Sequence, residues 1–198
     1  SGMLSLIGNN TFNGGVTLNA GILQIDNFAN ASGTVPSTRL VSAVTGTVLT
    51  VADTTGWVPG MAVIGPGIPG GASVVSVDSP TQITISAGTA TIGSITVGSV
   101  LRLNGGTLMP GTNNFAVTRP VWVRGNVSLG GPLSGQNLTI SAPVDLDATR
   151  TLTVASPLST TTISGSVTTG TGAVLVKGGL GSLVLSNGTN SLAGGVRL

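Results

Sequence analysis

The apolar residues of this chain alternate with polar ones, and never for long. Leu4-Ser5-Leu6-Ile7, Val16-Thr17-Leu18, Ile22-Leu23-Gln24-Ile25, Leu101-Arg102-Leu103, Leu138-Thr139-Ile140, Thr151-Leu152-Thr153-Val154 and Leu183-Val184-Leu185 are separated by Gly, Asn, Ser and Pro. Each sets two or three aliphatics on one face and Ser, Thr, Gln or Arg on the other, the period-two signature of a half-buried strand. No 3.6-residue apolar period lasts three turns, and glutamate is absent. A strand of this length buries too little area to be stable alone, so the strands must stack on one another to form a core. The expectation is an all-β fold.

Composition narrows the classes. The chain is 40% hydrophobic and only 6% charged, too apolar for disorder. Its 32 glycines show no three-residue period, which excludes collagen. The longest apolar runs, such as Met61-Ala62-Val63-Ile64, fall far short of the roughly 20 residues of a spanning helix. Net charge is +2, with the basic residues scattered at Arg39, Arg102, Arg119, Arg124, Arg150, Lys177 and Arg197. No stripe of them can neutralise several phosphates together, and aromatics are too few for a base-stacking platform, so nucleic acid is not an expected partner. Absence of cysteine fits passage through an oxidising compartment. The chain opens in the middle of its pattern with no export signal, as an excerpt of a longer protein does.

Internal repetition suggests how the strands stack. Near the start stands Gly2-Met3-Leu4-Ser5-Leu6-Ile7-Gly8-Asn9-Asn10-Thr11-Phe12-Asn13-Gly14-Gly15-Val16-Thr17-Leu18, and near the end Gly181-Ser182-Leu183-Val184-Leu185-Ser186-Asn187-Gly188-Thr189-Asn190-Ser191-Leu192-Ala193-Gly194-Gly195-Val196-Arg197-Leu198. Both run strand, Asn-rich turn, apolar residue, Gly-Gly, strand, and Leu101-Arg102-Leu103-Asn104-Gly105-Gly106-Thr107-Leu108 echoes them. The first copy closes on Asn19-Ala20-Gly21-Ile22-Leu23-Gln24, and the last opens on Lys177-Gly178-Gly179-Leu180-Gly181. These segments resemble the autotransporter-associated β-strand repeat, with Leu192 standing where the first copy has Phe12. The resemblance covers residues 1–30 and 174–198, and 99–173 more loosely. It implies a right-handed parallel β-helix, in a large secreted or surface-displayed bacterial protein.

Residues 37–98 read differently. They hold four of the ten prolines, Pro59, Pro66, Pro69 and Pro80. A turn at Asp78-Ser79-Pro80-Thr81 separates Val74-Val75-Ser76-Val77 from Gln82-Ile83-Thr84-Ile85, the spacing of an antiparallel hairpin. We therefore expect β-helix coils over 1–36 and 99–198, with a small antiparallel β-domain over 37–98 inserted between them. The coils should number roughly six, at about 4.8 Å each.

Residues that might carry chemistry are few. Asp145-Leu146-Asp147 with Arg150 close behind is the one acidic cluster. Positions i and i+2 of a strand share a face, so two outward carboxylates could hold Ca²⁺ or act as an acid/base pair; a solvated turn is the alternative. Histidine and cysteine are absent, so the many serines lack a base. Gly178-Gly179-Leu180-Gly181 looks like a phosphate loop but precedes no helical pattern, and corner glycines with positive φ explain it better. Asn9, Asn10, Asn13 and Asn187 suit Asx-turns or side-chain ladders. Trp57 and Trp122 are expected under a loop and on a strand face, with sugar contact as a second reading.

No catalytic, metal or cofactor residue is thus expected, and the chain reads as structural rather than enzymatic. The expected role is a rod element of a bacterial extracellular or cell-surface fibre, sheath or stalk. Its partners would be other copies or adjacent repeats, stacked head to tail through Leu4, Leu6, Ile7, Leu183, Leu185, Val196 and Leu198. The rival is an adhesin or carbohydrate-binding passenger segment with a polysaccharide partner.

Overall fold

In the computed structural model of the chain, residues 2–6, 15–25, 37–88, 93–111 and 115–198 are described. Among them there are strands, turns and no helix, so none long and apolar enough to cross a membrane. The chain divides into two compact units. One contains Leu101–Leu198 with the described strands before Ile25, and the other contains the described residues from Ser37 to Val100.

The first unit is a parallel β-solenoid of three sheets. Numbered along the chain, β1 (Met3–Leu6), β3 (Ile22–Ile25), β11 (Thr107–Pro110), β14 (Val127–Leu129), β17 (Arg150–Thr153), β20 (Leu175–Gly178) and β22 (Val196–Arg197) stack in that order as a seven-stranded sheet. β2 (Val16–Leu18), β10 (Leu101–Leu103), β13 (Val121–Val123), β16 (Val144–Leu146) and β19 (Val167–Thr169) form the second sheet, and β12 (Phe115–Val117), β15 (Leu138–Ile140), β18 (Thr160–Ile163) and β21 (Ser182–Leu185) the third. Seven strands in the longest sheet mean about seven turns rather than the expected six. The estimate fell short because some coils take fewer residues: Met3 already pairs with Ile22, whereas Val127 pairs with Leu152.

Period-two alternation decides what faces in. Leu23, Leu101, Leu103, Leu108, Leu138, Ile140 and Leu146 lie in one buried cluster with Val121, Val123 and Val127. Full burial of each such aliphatic contributes about 1.5–3 kcal/mol, and like residues sit above like because the ladders are in register. Leu4, Leu23 and Leu108 are successive partners, as are Leu18 and Leu103. The alternation of the two repeat copies turns Leu4, Leu6, Val16, Leu18, Leu183 and Leu185 inward; of these Leu18 is buried, and Leu6, Val16, Leu183 and Leu185 are partly buried against the cluster. Leu4 corrects the expectation: it occupies an inward register position yet is 57% exposed, because β1 has one strand neighbour, β3, among the described residues.

Corners are held by side chains that reach the adjoining coil. The amides of Thr151, Thr160 and Val174 donate to Asn126 Oδ1 (2.9 Å), Asn137 Oδ1 (2.8 Å) and Thr149 Oγ1 (3.1 Å). Asn187 makes an Asx-turn, its Oδ1 accepting from Thr189 N at 2.7 Å, while its Nδ2 donates to Ser164 O at 3.0 Å; Asn9, Asn10 and Asn13 lie outside the described residues. Gly106 follows the glycine expectation, with φ +81° and a backbone so close that an added Cβ would lie 2.6 Å from Gly21 O.

The second unit is antiparallel. β4 (Ser37–Thr45), β5 (Val48–Val51), β6 (Ala62–Ile64), β7 (Val74–Ser79), β8 (Gln82–Ile85) and β9 (Ser94–Gly98) take the order β6-β9-β4-β5-β8-β7. The two outer strands meet: Ala62 bridges Ser73, Gly60 N donates to Val74 O (2.8 Å) and Val63 N to Ala72 O (2.9 Å). The sheet therefore closes on itself as a small barrel around Val41, Leu49, Trp57, Met61, Ile83, Ile85, Ile95 and Val97. Trp57, expected under a loop, belongs to this core, and its Nε1 donates to Ser37 Oγ at 2.6 Å.

Candidate functional site

Charge and aromaticity meet on the outward face of the second solenoid sheet. Val121 and Val123 point into the core, so Trp122 between them points out. Register sets Arg102 beside Trp122 on one side and Asp145 on the other, with Thr17 and Thr168 continuing the row. The Arg102 guanidinium lies 4.7 Å from the Trp122 ring centroid, and that of Arg124, two residues along β13's course, lies 5.3 Å away. Both distances are within cation–π range. Trp122 is accordingly 4% exposed although it faces outward.

The acidic cluster resolves into two separate ion pairs. Arg124 Nη2 donates to Asp145 Oδ2 at 2.7 Å and its Nη1 to Asp145 O at 3.1 Å, while Thr168 Oγ1 donates to Asp145 Oδ1 at 3.2 Å. Asp147 accepts two bonds from Arg150, Nε at 2.9 Å and Nη2 at 3.0 Å. Leu146 between them is fully buried, so both carboxylates do lie on the polar side. Each is paired with a different guanidinium, at 2.7 Å for Asp145 and 3.0 Å for Asp147. Among the described residues no group of three or more His, Cys, Asp or Glu could hold a metal ion.

Burial lowers the pKa of Arg102, with the Arg124 charge adding to it, and burial alone lowers that of Arg119. In the barrel, the Thr55 hydroxyl and amide hold the Asp53 carboxyl below its ordinary value, with Arg39 adding to them; the Ser76 and Thr84 hydroxyls do the same for Asp78. Gly178 ends β20 and residues 179–181 turn the chain into β21, so a strand follows the glycines and no helix dipole is available to a phosphate.

The residues named for stacking fall at the two ends of the solenoid. A shallow groove of about 460 Å³ is lined by Gly2, Leu4, Val16, Leu18 and Leu23. At the other end Leu183 and Leu185 rest half-buried on the core, whereas Val196 is exposed and Leu198 is 96% exposed. Ile7 lies outside the described residues. Sequence reasoning missed the Arg102–Trp122–Arg124 stack. Arg124 was detectable at i+2 on Trp122's face, but Arg102 could be placed only by knowing the register. No family model, no curated protein and no solved structure matches the chain.

Proposed function

We propose that this chain is architectural: a length of stiff β-solenoid from a bacterial extracellular or cell-surface fibre, sheath or stalk, continued at its ends by further coils. The observation that carries the reading is the in-register stack itself: aliphatics of successive coils lie in continuous buried ladders, as Leu101, Val121 and Val144 do. A further parallel coil, from an adjacent repeat or another copy, extends such a ladder by the same pairing rule. A head-to-tail contact of this kind does not close on itself, so it propagates into a filament. The resemblance of the two repeat copies to the autotransporter-associated repeat supports the same setting. The adhesin or carbohydrate-binding alternative would rest on the inserted domain or on an exposed Trp, and Trp57 and Trp122 are both buried.

Sedimentation velocity and negative-stain microscopy at rising concentration test the assembly. Particles should lengthen end to end, and Leu4→Asp with Val196→Asp should return them to monomers with an unchanged far-ultraviolet spectrum. A chain that stays monomeric at roughly 100 µM, a weak association by any standard, overturns the assembly.

A further inference from the structure

Asn-Gly occurs at Asn13-Gly14, Asn104-Gly105 and Asn187-Gly188. In this dipeptide no side chain on the second residue shields its backbone nitrogen from the asparagine carboxamide, so loss of ammonia is a standing reaction for it. Asn13 and Gly14 lie outside the described residues, and the other two pairs differ in their surroundings. Asn187 sits half-buried in the corner between β21 and β22, with Gly188 and Thr189 exposed beyond it. Its Oδ1 accepts twice from Thr189, from the amide at 2.7 Å and from the hydroxyl at 2.6 Å. The amide bond closes a ring through Asn187 Cγ, the backbone and Gly188 N, which keeps the carboxamide turned toward that nitrogen. Nδ2 donates to Ser164 O at 3.0 Å, and Asn190 Nδ2 donates to Asn187 O at 2.6 Å and steadies the peptide. A Cβ built on Gly188 would meet nothing within 4 Å, so a ring has room to close there. Asn104 is packed otherwise. Its coil has a strand neighbour on each side, its Nδ2 is tied to Asn19 Oδ1, and a Cβ on Gly105 would stand 2.7 Å from Asn19 O.

We infer that Asn187 is a self-modifying site, at which the folded corner drives its own deamidation. Gly188 N, having given its proton to hydroxide, bonds to Asn187 Cγ. The negative charge that develops on Oδ1 meets the two Thr189 donors, the arrangement of an oxyanion hole. Both donors are in place before the reaction begins, so little reorganisation is needed. The Cγ–Nδ2 bond then breaks, and ammonia leaves with a proton from water. A succinimide remains, and water opens it at either carbonyl to leave aspartate or isoaspartate. The product carboxylate no longer has the Nδ2 donor that reached Ser164 O, so the corner loses a bond to the adjoining coil. An isoaspartate also lengthens the backbone there by one carbon. The corner between β21 and β22 is thus built to age, and the Asn104 corner is not.

The test follows the folded chain in mild alkali. Asn187 lies between Lys177 and Arg197, so trypsin releases it apart from Asn104, and peptide mass with isoaspartyl-methyltransferase labelling reads conversion at each. Asn187 should convert at least about tenfold faster than Asn104. Thr189→Val removes one of the two donors and should slow Asn187 about tenfold in the folded chain. In urea, where the corner is gone, the same substitution should leave the rate unchanged. Thr189→Ser keeps the hydroxyl and should keep the rate. Thr189 is exposed, so the far-ultraviolet spectra of all three chains should coincide. Conversion of Asn104 as fast as that of Asn187, or a folded Thr189→Val rate equal to the parent's, would overturn the inference. A valine effect of the same size in urea would also overturn it, by placing the cause in the local sequence and not in the fold.

Discussion

The solenoid and the barrel use the same short alternating strands and treat their edges in opposite ways. In the solenoid each strand pairs in parallel with the strand one coil on, as Leu101 does with Val121 and Val121 with Val144. Nothing in that rule limits the number of coils. In the barrel, β4 and β5 turn back on each other through Gly46 and Thr47, with Gly46 at φ +62°, and β7 and β8 do so through Pro80 and Thr81. The Ala62–Ser73 bridge, with the bonds of Gly60 and Val63 to Val74 and Ala72, then joins β6 to the start of β7. Loop length separates the outcomes: two-residue turns enforce antiparallel pairing, whereas parallel pairing needs a long return path. Here the other two sheets of the coil supply that path.

The comparison breaks most visibly in the cores. Leu103→Ala and Ile83→Ala each empty a fully buried site and should cost about 2–5 kcal/mol. Leu103→Ala should raise amide exchange over the solenoid coils, strongest in β2, β10 and β13, because repeat stability is a sum of nearest-neighbour terms. Ile83→Ala should raise it throughout β4 to β9, since a closed sheet has no independent part. Uniform exchange along the solenoid after Leu103→Ala would erase the distinction.

A smaller effect of opposite sign sharpens it. Thr161 is fully buried in register with Leu138 and Leu183, and its hydroxyl has no partner among the described residues. Thr161→Val should stabilise the solenoid by about 1–2 kcal/mol, read as a higher denaturation midpoint at unchanged slope. A loss of stability would show that the hydroxyl is satisfied. Acid gives the smallest effect and falls on the barrel. Asp53 and Asp78 have folded pKa values below the ordinary 3.8, so their contribution is complete above that value and is lost as pH falls through the lowered ones. As pH falls below 3.8 the amide signals of β7 and β8, which carry Asp78 and its partner Thr84, should therefore shift or broaden; signals unchanged by that acidification would contradict it.

Much of this was legible in the residues. Leu101–Leu103 and Leu138–Ile140 are strands with the faces their alternation gives, the antiparallel insert follows from hairpin spacing, and the parallel coils are what the resemblance of the repeat copies implied. What escaped was whatever depends on register. Thr160-Thr161-Thr162 carries no period that says which threonine turns inward; pairing with Leu138 decides it. Closure of the barrel depends on Ala62 meeting Ser73, a contact with no local signature. Asp145 and Asp147 share a polar face as expected, but their arginines come from different positions in the stack.

The corner hydrogen bonds bear on how such a chain can grow. Asn126, Asn137 and Thr149 each fix the next coil by a single accepted amide, and Asn104 Nδ2 donates to Asn19 Oδ1 at 2.8 Å across 85 residues of chain. Phase is thus reset at each corner, and the number of residues between corners is left free. After the whole barrel has intervened, Leu101 still falls opposite Val16 and Thr107 opposite Ile22. A fold indexed in this way accepts cargo of any length at its bends without losing count, so its outer surface can diversify while the inner stack stays in step.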